Sequence, residues 1–369
     1  MPPNVFRNTP ASLVASVPAM LGFVTTRSIV LIFATRENHG QGPISLPFMV
    51  RADSPLNKGS ITDAELAHYA MDMCLRLDAE AVIAVIVDDR LTRSTAPDSI
   101  DARYLPVLHT LERHLESIHR RLCGIWATRA LTPKADWWNP LDPTHHGHLP
   151  DPATTPLALA LTSAGGTIHR SRAELSDLVA VDPALRDRVT ALLPAAVADA
   201  SRRRIRFARI GNPDADTRQT LWRVMHAIAT CAPHETPAPA VLVEVAVALR
   251  DSTIRDVLFG VAAGVYAAHA EWLWSVLTRA LPDPDRAEAA TLLGFHAYLR
   301  GEAVLAGVAF EAALTSDPQH RMAQLLDFGR HHGMPPRRLH RLCDSAIADA
   351  AALRIDIGAP QPHSHSTKG

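Results

Sequence analysis

The sequence predicts an α/β plus all-α protein: a mixed sheet with covering helices, then a helical C-terminal domain. Three observations carry this. Up to Thr128, short apolar runs alternate with amphipathic stretches, the order that builds a sheet with helices laid over it. The run Ala81–Val87 (AVIAVIV) is apolar at every position, the mark of a strand buried on both faces. From Ala240 to Ala352 the chain reads as helices, and one pattern occurs twice at a 34-residue step. Leu258-Phe259-Gly260 is echoed by Leu292-Leu293-Gly294, Ala263 by Ala297, and Asp283-Pro284 by Asp317-Pro318.

Taken in order, Thr9-Pro10 starts a helix, with Thr as N-cap and Pro at the first helical position, and Gly22 stops it. Ser28–Thr35 (SIVLIFAT) is a buried strand, Arg36–Pro43 with Gly40 and Gly42 a hairpin connection, and Ile44–Val50 the second strand. Thr62–Leu77 is a helix, with Leu66, Tyr69, Ala70, Met73 and Leu77 on one stripe. Ala102–Arg121 is another, carrying Leu108, Leu111, Leu115, Ile118 and Leu122 at three- and four-residue steps. Its histidines His109, His114 and His119 are spaced by five, so they spiral round the helix and do not converge. Leu122–Thr128 is a further strand.

Asp136–Pro156 changes character, with Trp137-Trp138, five prolines and three histidines, and reads as an irregular excursion or joint. Ser171–Glu174 is a capping box, and Asp182-Pro183 starts a longer helix to about Ser201. The Arg-rich segment after it reads as a strand with Ile205 and Phe207 facing inward. Thr217–Thr230 is helical, Pro233–Pro239 is the clearest linker, and Gly358–Gly369 is a polar tail. The expected divisions are 1–135 (sheet domain), 136–236 (joint and helices packing on it), 237–352 (helical repeats) and 353–369 (disordered tail).

Composition bounds the function. The chain has 369 residues, 47% hydrophobic and 20% charged, which describes a globular protein with room for two or three domains. A net charge of −1 gives no global field toward nucleic acid or anionic lipid. Cys74, Cys123, Cys231 and Cys343 are widely spaced without a CxxC pair, which reads as reduced thiols in the cytoplasm. No run approaches the ~18 apolar residues of a membrane helix, and Pro18 interrupts the only leader-like stretch, Ala11–Phe23. The only lysines are Lys58, Lys134 and Lys368, with no glycine-rich loop before any of them, which argues against a phosphate-loop nucleotidase.

The second copy of the repeat continues with Ala306, Phe310 and Ala313. It is similar to the tetratricopeptide pattern, in which small residues let two antiparallel helices approach, an aromatic fills the gap and Pro closes the pair. In the first copy Trp272 and Arg279 replace two of the alanines. Across the chain stand Val17-Pro18-Ala19-Met20-Leu21-Gly22-Phe23 followed by Ser28-Ile29-Val30, then Arg51-Ala52-Asp53. Trp137-Trp138, Arg255-Asp256, and Leu292–Pro318 running into Met322-Ala323 come after them. In that order these stretches resemble an actinobacterial family, domain of unknown function 4192, and the resemblance spans nearly the whole chain. It implies no activity. Cysteines often follow the tryptophan pair in that family; here the segment holds Asp142, His145, His146 and His148 instead.

Four groups of residues carry candidate chemistry. Arg51 and Asp53 follow one strand, and Asp88, Asp89 and Arg90 another. Ligands of open α/β sheets bind at carboxyl ends of strands, so two carboxylates with an arginine there can hold a metal–phosphate group or act as acid and base. The plainer reading is polar residues marking where buried strands reach water. His145, His146 and His148 suit a transition metal, yet adjacent histidines on a Pro-rich loop are more often solvated. Arg202, Arg203, Arg204, Arg206 and Arg209 form the one dense basic run; they offer phosphate contacts or simply favour the negative end of their helix. Groove-facing positions of the repeat, Ile254, Val257, Leu258, Val261, Val265, Glu288, Thr291, Leu292, Phe295 and Leu299, make an apolar surface that packs on the protein's own α/β domain or receives an apolar helix or strand.

No recognisable catalytic motif occurs and no cofactor is indicated. The reading is a cytoplasmic protein-interaction or scaffold module. The alternative is a small-molecule-binding or hydrolytic α/β domain using Arg51, Asp53, Asp88 and Asp89.

Overall fold

The computed structural model describes residues 9–36, 44–57, 59–92, 103–142, 144–163, 166–232 and 235–358. The chain divides into two units, residues 1–174 and 175–369. The first opens with α1 (Pro10–Leu21), capped by Thr9 and ended by Gly22 at a left-handed φ of 78°. β1 (Ser28–Arg36) is antiparallel both to β2 (Ile44–Asp53) and to β3 (Ala81–Val87). β4 (Arg121–Thr128) is parallel to β3. Two three-residue strands, β5 (Asp136–Trp138) and β6 (His146–His148), complete the order β2-β1-β3-β4-β5-β6.

Since β2 and β3 both oppose β1, they run parallel to one another. α2 (Asp63–Leu77) connects β2 to β3, and α3 (Leu105–Ser117) connects β3 to β4, so these two helices also run parallel. They pack together. Ala67, Ala70, Met73 and Cys74 of α2 and Leu108 and Leu111 of α3 share one core with Ile29, Leu31, Phe33, Val82, Ala84 and Ile86. The alternate residues Val30, Ile32, Val85 and Val87 are fully buried as well, as the unbroken apolar pattern of β3 requires. Thr62 and Glu65 form a reciprocal capping box on α2. The helix expected over Ala102–Arg121 is shorter, because His119 takes a φ of 57° and turns the chain into β4. The hairpin expected at Arg36–Pro43 lies beyond Arg36 outside the described residues. α4 (Pro156–Ser163) and α5 (Arg172–Asp177) follow the sheet.

The second unit is helical: α6 (Pro183–Arg209), α7 (Pro213–Thr230), α8 (Pro239–Leu249), α9 (Ser252–Leu258), α10 (Ala267–Ala280), α11 (Arg286–Leu299), α12 (Ala303–Ser316), α13 (Arg321–His331) and α14 (His340–Ala352). α6 and α7 pack against α8 here. α11 and α12 make the tightest helix pair: a Cβ at Gly294 would collide with the Phe310 ring, so only glycine permits this approach. At the equivalent Gly260 the space is taken by Ile357 and by Ala346 of α14, 2.7 and 3.2 Å from where a Cβ would stand.

Two expectations change in this unit. The groove-facing Ile254, Val257, Leu258, Val261, Thr291, Leu292 and Phe295 are buried, and Val265 alone of the set is widely exposed. α14 packs on α9 and on the 3-10 turn Phe259–Ala263 that continues it, so the unit covers much of that surface with its own last helix. The carbonyl of Gly358 accepts a bond from the amide of Val265 at 2.9 Å and Ile357 is buried. The chain is therefore held as far as Gly358, and the rest of the expected tail lies outside the described residues.

Candidate functional site

The order β2-β1-β3 has a direct consequence for the strand ends. Asp53 and Val87 both pair with Ser28, so Arg51, Asp53, Asp88 and Asp89 reach one edge of the sheet. Within that edge they form separate ion pairs. Asp88 is buried and accepts from Arg90 Nε at 2.8 Å, Arg90 Nη2 at 2.6 Å and the Tyr104 hydroxyl at 2.5 Å. The Arg90 amide adds a fourth bond at 2.9 Å. Burial pushes the Asp88 carboxyl up, but the bonds from Arg90, Tyr104 and Ser54 outweigh it and hold the group well below the usual carboxylate range. Burial, then contact with Asp88, pushes the Tyr104 phenol up, so it stays a donor. Arg90 uses its remaining N–H groups on Ser54 Oγ at 3.2 Å, Asn57 Oδ1 at 3.0 Å and the Leu56 carbonyl at 3.4 Å.

Asp89 faces solvent and is clamped by Arg27 through two bonds of 2.8 and 3.0 Å. Arg51 binds Asp53 at 2.5 Å and donates its Nε–H to Ser28 Oγ at 2.9 Å. The sequence reading missed Arg27, Ser54 and Tyr104. Arg27 has a local signal, standing one residue before a buried strand. Tyr104 has none, because what matters is its approach to Asp88 across the fold. The cavity beside Tyr104, lined by Ile86, Leu91, Ala127, Trp138 and Pro140 among others, measures about 10 Å³, too small to hold more than one water. Chemically this edge is a set of satisfied charges: Asp53, Asp88 and Asp89 are each paired with an arginine, and their arginines hold Asp88 and Asp89 below the usual carboxylate range.

The histidine loop is more regular than expected, for β5 and β6 pair within it. Trp138 stands opposite His146 and Asp136 opposite His148, so His146 and His148 share a face. His148 Nδ1 lies 3.0 Å from Asp136, and His145 Nδ1 lies 2.7 Å from Asp142. Gly147 leaves room for the indole of Trp137, whose Nε1 would stand 3.1 Å from a Cβ there. Among the described residues no group of three or more His, Cys, Asp or Glu is placed to hold a metal.

The arginine run is the second correction. It does not leave the helix for a strand: α6 extends through Arg209 as one 27-residue helix. The alternation of Ile205 and Phe207 with arginines imitates a strand, yet Ile205 is half exposed on the helix surface. Arg202, Arg203 and Arg204 are each matched to an acid. Arg202 pairs with Asp199. Arg203 binds Asp216 at 2.8 Å and Thr220 at 3.2 Å, and Arg204 reaches Asp251 at 3.5 Å. Arg223 of α7 adds a pair with Glu244 of α8 at 3.1 Å. All of these residues but Arg202 line an open groove of about 240 Å³ between α6, α7 and α8. Ala196, Ala200, Ala240 and Ala248 line it, and their small side chains leave the space. Arg255 pairs with Asp256 at 3.2 Å and with Glu288 at 3.0 Å.

A family model described as Domain of unknown function (DUF4192) matches residues 10–337, nearly the whole described chain. The chain belongs to the DUF4192 family. No curated protein and no solved structure matches it. No described helix of this DUF4192 chain is long and apolar enough to cross a membrane.

Proposed function

We propose that this DUF4192 chain is a non-catalytic binding protein of the cytoplasm, a protein-interaction or scaffold module whose helical unit contains a tetratricopeptide-like repeat pair. One observation carries the reading. The helical unit keeps an open groove of about 240 Å³ with charged side chains around it, whereas the charges of the sheet edge are closed on one another. A rim of balanced ion pairs over a floor of small residues suits a polar segment of a partner protein, which exchanges those pairs for its own. The Gly294–Phe310 approach supports the repeat pair, and four free cysteines support a reducing compartment. Nucleic acid is the weaker partner, since Arg202, Arg203 and Arg204 already have acids.

The alternative, a small-molecule-binding or hydrolytic α/β domain acting through Arg51, Asp53, Asp88 and Asp89, is favoured by the edge these residues share. Against it stands the size of the cavity beside Tyr104, about 10 Å³. The deciding experiment is co-purification with tagged full-length protein from native cells, beside Ala240→Trp. Ala240 lies exposed at the mouth of the groove, so the indole fills it without entering the core. A stoichiometric partner held by the wild type and lost from the variant, at unchanged thermal midpoint, is the expected result. A partner held equally by both, or none by either, removes the groove as the interaction site.

A further inference from the structure

His68 and His114 belong to different helices and no spacing in the sequence links the two, yet their rings meet. The centroids are 4.8 Å apart, with the planes at 66°. His68 Nδ1 lies 2.7 Å from the carbonyl oxygen of Ala64, and His114 Nδ1 lies 2.8 Å from that of Thr110. A carbonyl oxygen has no hydrogen to give, so each Nδ1 must be the protonated nitrogen. In the neutral ring this leaves the lone pair on Nε2 of both. Metal-bound histidines are held in the same way, one ring nitrogen donating to a carbonyl so that the other faces the ion. The bond to the carbonyl four residues back also occurs at His332, whose ring rests on Phe328 rather than on a second imidazole. The approach between helices is what singles out the pair.

The support beneath it is rigid. α2 and α3 run parallel, so both Nδ1–H bonds point toward the N-termini of their helices, and each Nε2, across its ring from Nδ1, is turned away from its own carbonyl. Ala67 and Ala70 flank His68, Leu111 and Leu115 flank His114, and all four are buried at 0% exposure in the sheet core. His68 is exposed and His114 half-buried, so an ion has access from solvent. No hydrogen bond to either Nε2 occurs among the described residues. We infer that His68 and His114 form a two-imidazole site on the outer face of α2 and α3 for a divalent transition-metal ion of the Zn²⁺, Cu²⁺ or Ni²⁺ class, with water completing its coordination. Imidazole nitrogen selects those ions over Mg²⁺ and Ca²⁺, which prefer oxygen. The site is independent of the groove between α6, α7 and α8.

The probe is Cu²⁺ titrated into untagged full-length protein, read by electron paramagnetic resonance and by calorimetry. The first equivalent should show coupling to two imidazole nitrogens. His68→Ala and His114→Ala should each reduce this to one nitrogen and weaken binding by roughly tenfold or more, with circular dichroism unchanged because both side chains lie at the surface. The double variant His146→Ala/His148→Ala, which removes the competing histidines of β6, should leave the first equivalent as in the wild type. Two-nitrogen coupling that survives His68→Ala or His114→Ala, or that disappears with the β6 variant, overturns the assignment. So does a first equivalent bound without imidazole coupling.

Discussion

In the sheet unit a carboxylate is buried and kept charged; in the helical unit an imidazole is buried and kept neutral. Asp88, at 1% exposure, is held ionised by Arg90, Tyr104 and a backbone amide. His296, at 2%, accepts from the indole N–H of Trp274 at 3.2 Å. Burial, reinforced by the charge of Arg300, pushes its pKa down to about 3. The two solutions follow from what each fold can supply. A strand end brings loops, and so an arginine, a tyrosine and backbone donors, within reach of one carboxylate. Helix backbone donors are already spent, and His296 is met by neutral partners, the Trp274 indole and the Ala267 backbone, so burial favours the uncharged ring. A cluster of charged residues at a sheet edge is thus no sign of an open site when every member is partnered.

The comparison is broken most severely at Asp88. Replacement by Ala takes the carboxylate from Arg90 and leaves the Tyr104 hydroxyl with Ser54, and removing one member of a buried ion pair costs about 3–5 kcal/mol. Urea unfolding of Asp88→Ala at neutral pH should show that loss. A change under about 1 kcal/mol would mean the network behaves as a surface pair. The pH dependence is fixed by the depressed pKa. The contribution is complete above the unfolded value of about 4 and fades as pH falls below it, so Asp88→Asn should flatten the acid limb only there.

Much of this architecture was legible from local pattern. The apolar run of β3, the stripe of α2 and the Thr9-Pro10 start of α1 all announce themselves, because each depends on neighbours in sequence. Arg51, Asp53, Asp88 and Asp89 were legible as strand-end residues. That they share an edge was not, since it depends on β1 being inserted, antiparallel, between β2 and β3. The arginine run was misread because Ile205 and Phe207 alternate at the strand period inside a helix. β5 and β6 are too short for any period to appear. The His68–His114 contact had no signal, being made across two helices that the fold alone brings together.

A second test concerns a charge buried in the helical unit without a carboxylate bonded to it. Arg286, at 9% exposure, donates to the carbonyls of Thr278 at 2.9 Å and Val179 at 2.8 Å, and burial lowers its pKa. Arg286→Met keeps the apolar stem and leaves two carbonyls without a donor, worth about 1–3 kcal/mol. The effect should be smaller than at Asp88, since no opposite charge is orphaned. An equal or larger loss by the same urea measurement would show that these two carbonyls depend on this guanidinium as strongly as Arg90 depends on Asp88.

The smallest effect at neutral pH belongs to His296, and its sign differs with conditions. In the unfolded chain the imidazole takes up a proton near pH ~6.5; in the folded chain it does so only near 3. Between these values the unfolded state binds more protons, so stability is full above about pH 6.5 and falls as the solution is acidified. The linked loss reaches about 2 kcal/mol by pH 5. His296→Gln retains an acceptor for Trp274 and a donor for the Ala267 carbonyl, which His296 also contacts, but it does not titrate. The variant should therefore lie within about 1 kcal/mol of the wild type at pH 8 and gain on it steadily toward pH 5. Asp88→Asn should still track the wild type over that range. A stability difference between wild type and His296→Gln that stays constant from pH 8 to pH 5 would mean the imidazole reaches a proton in the folded state. The contrast between a buried group kept charged and one kept neutral would then fail on the helical side.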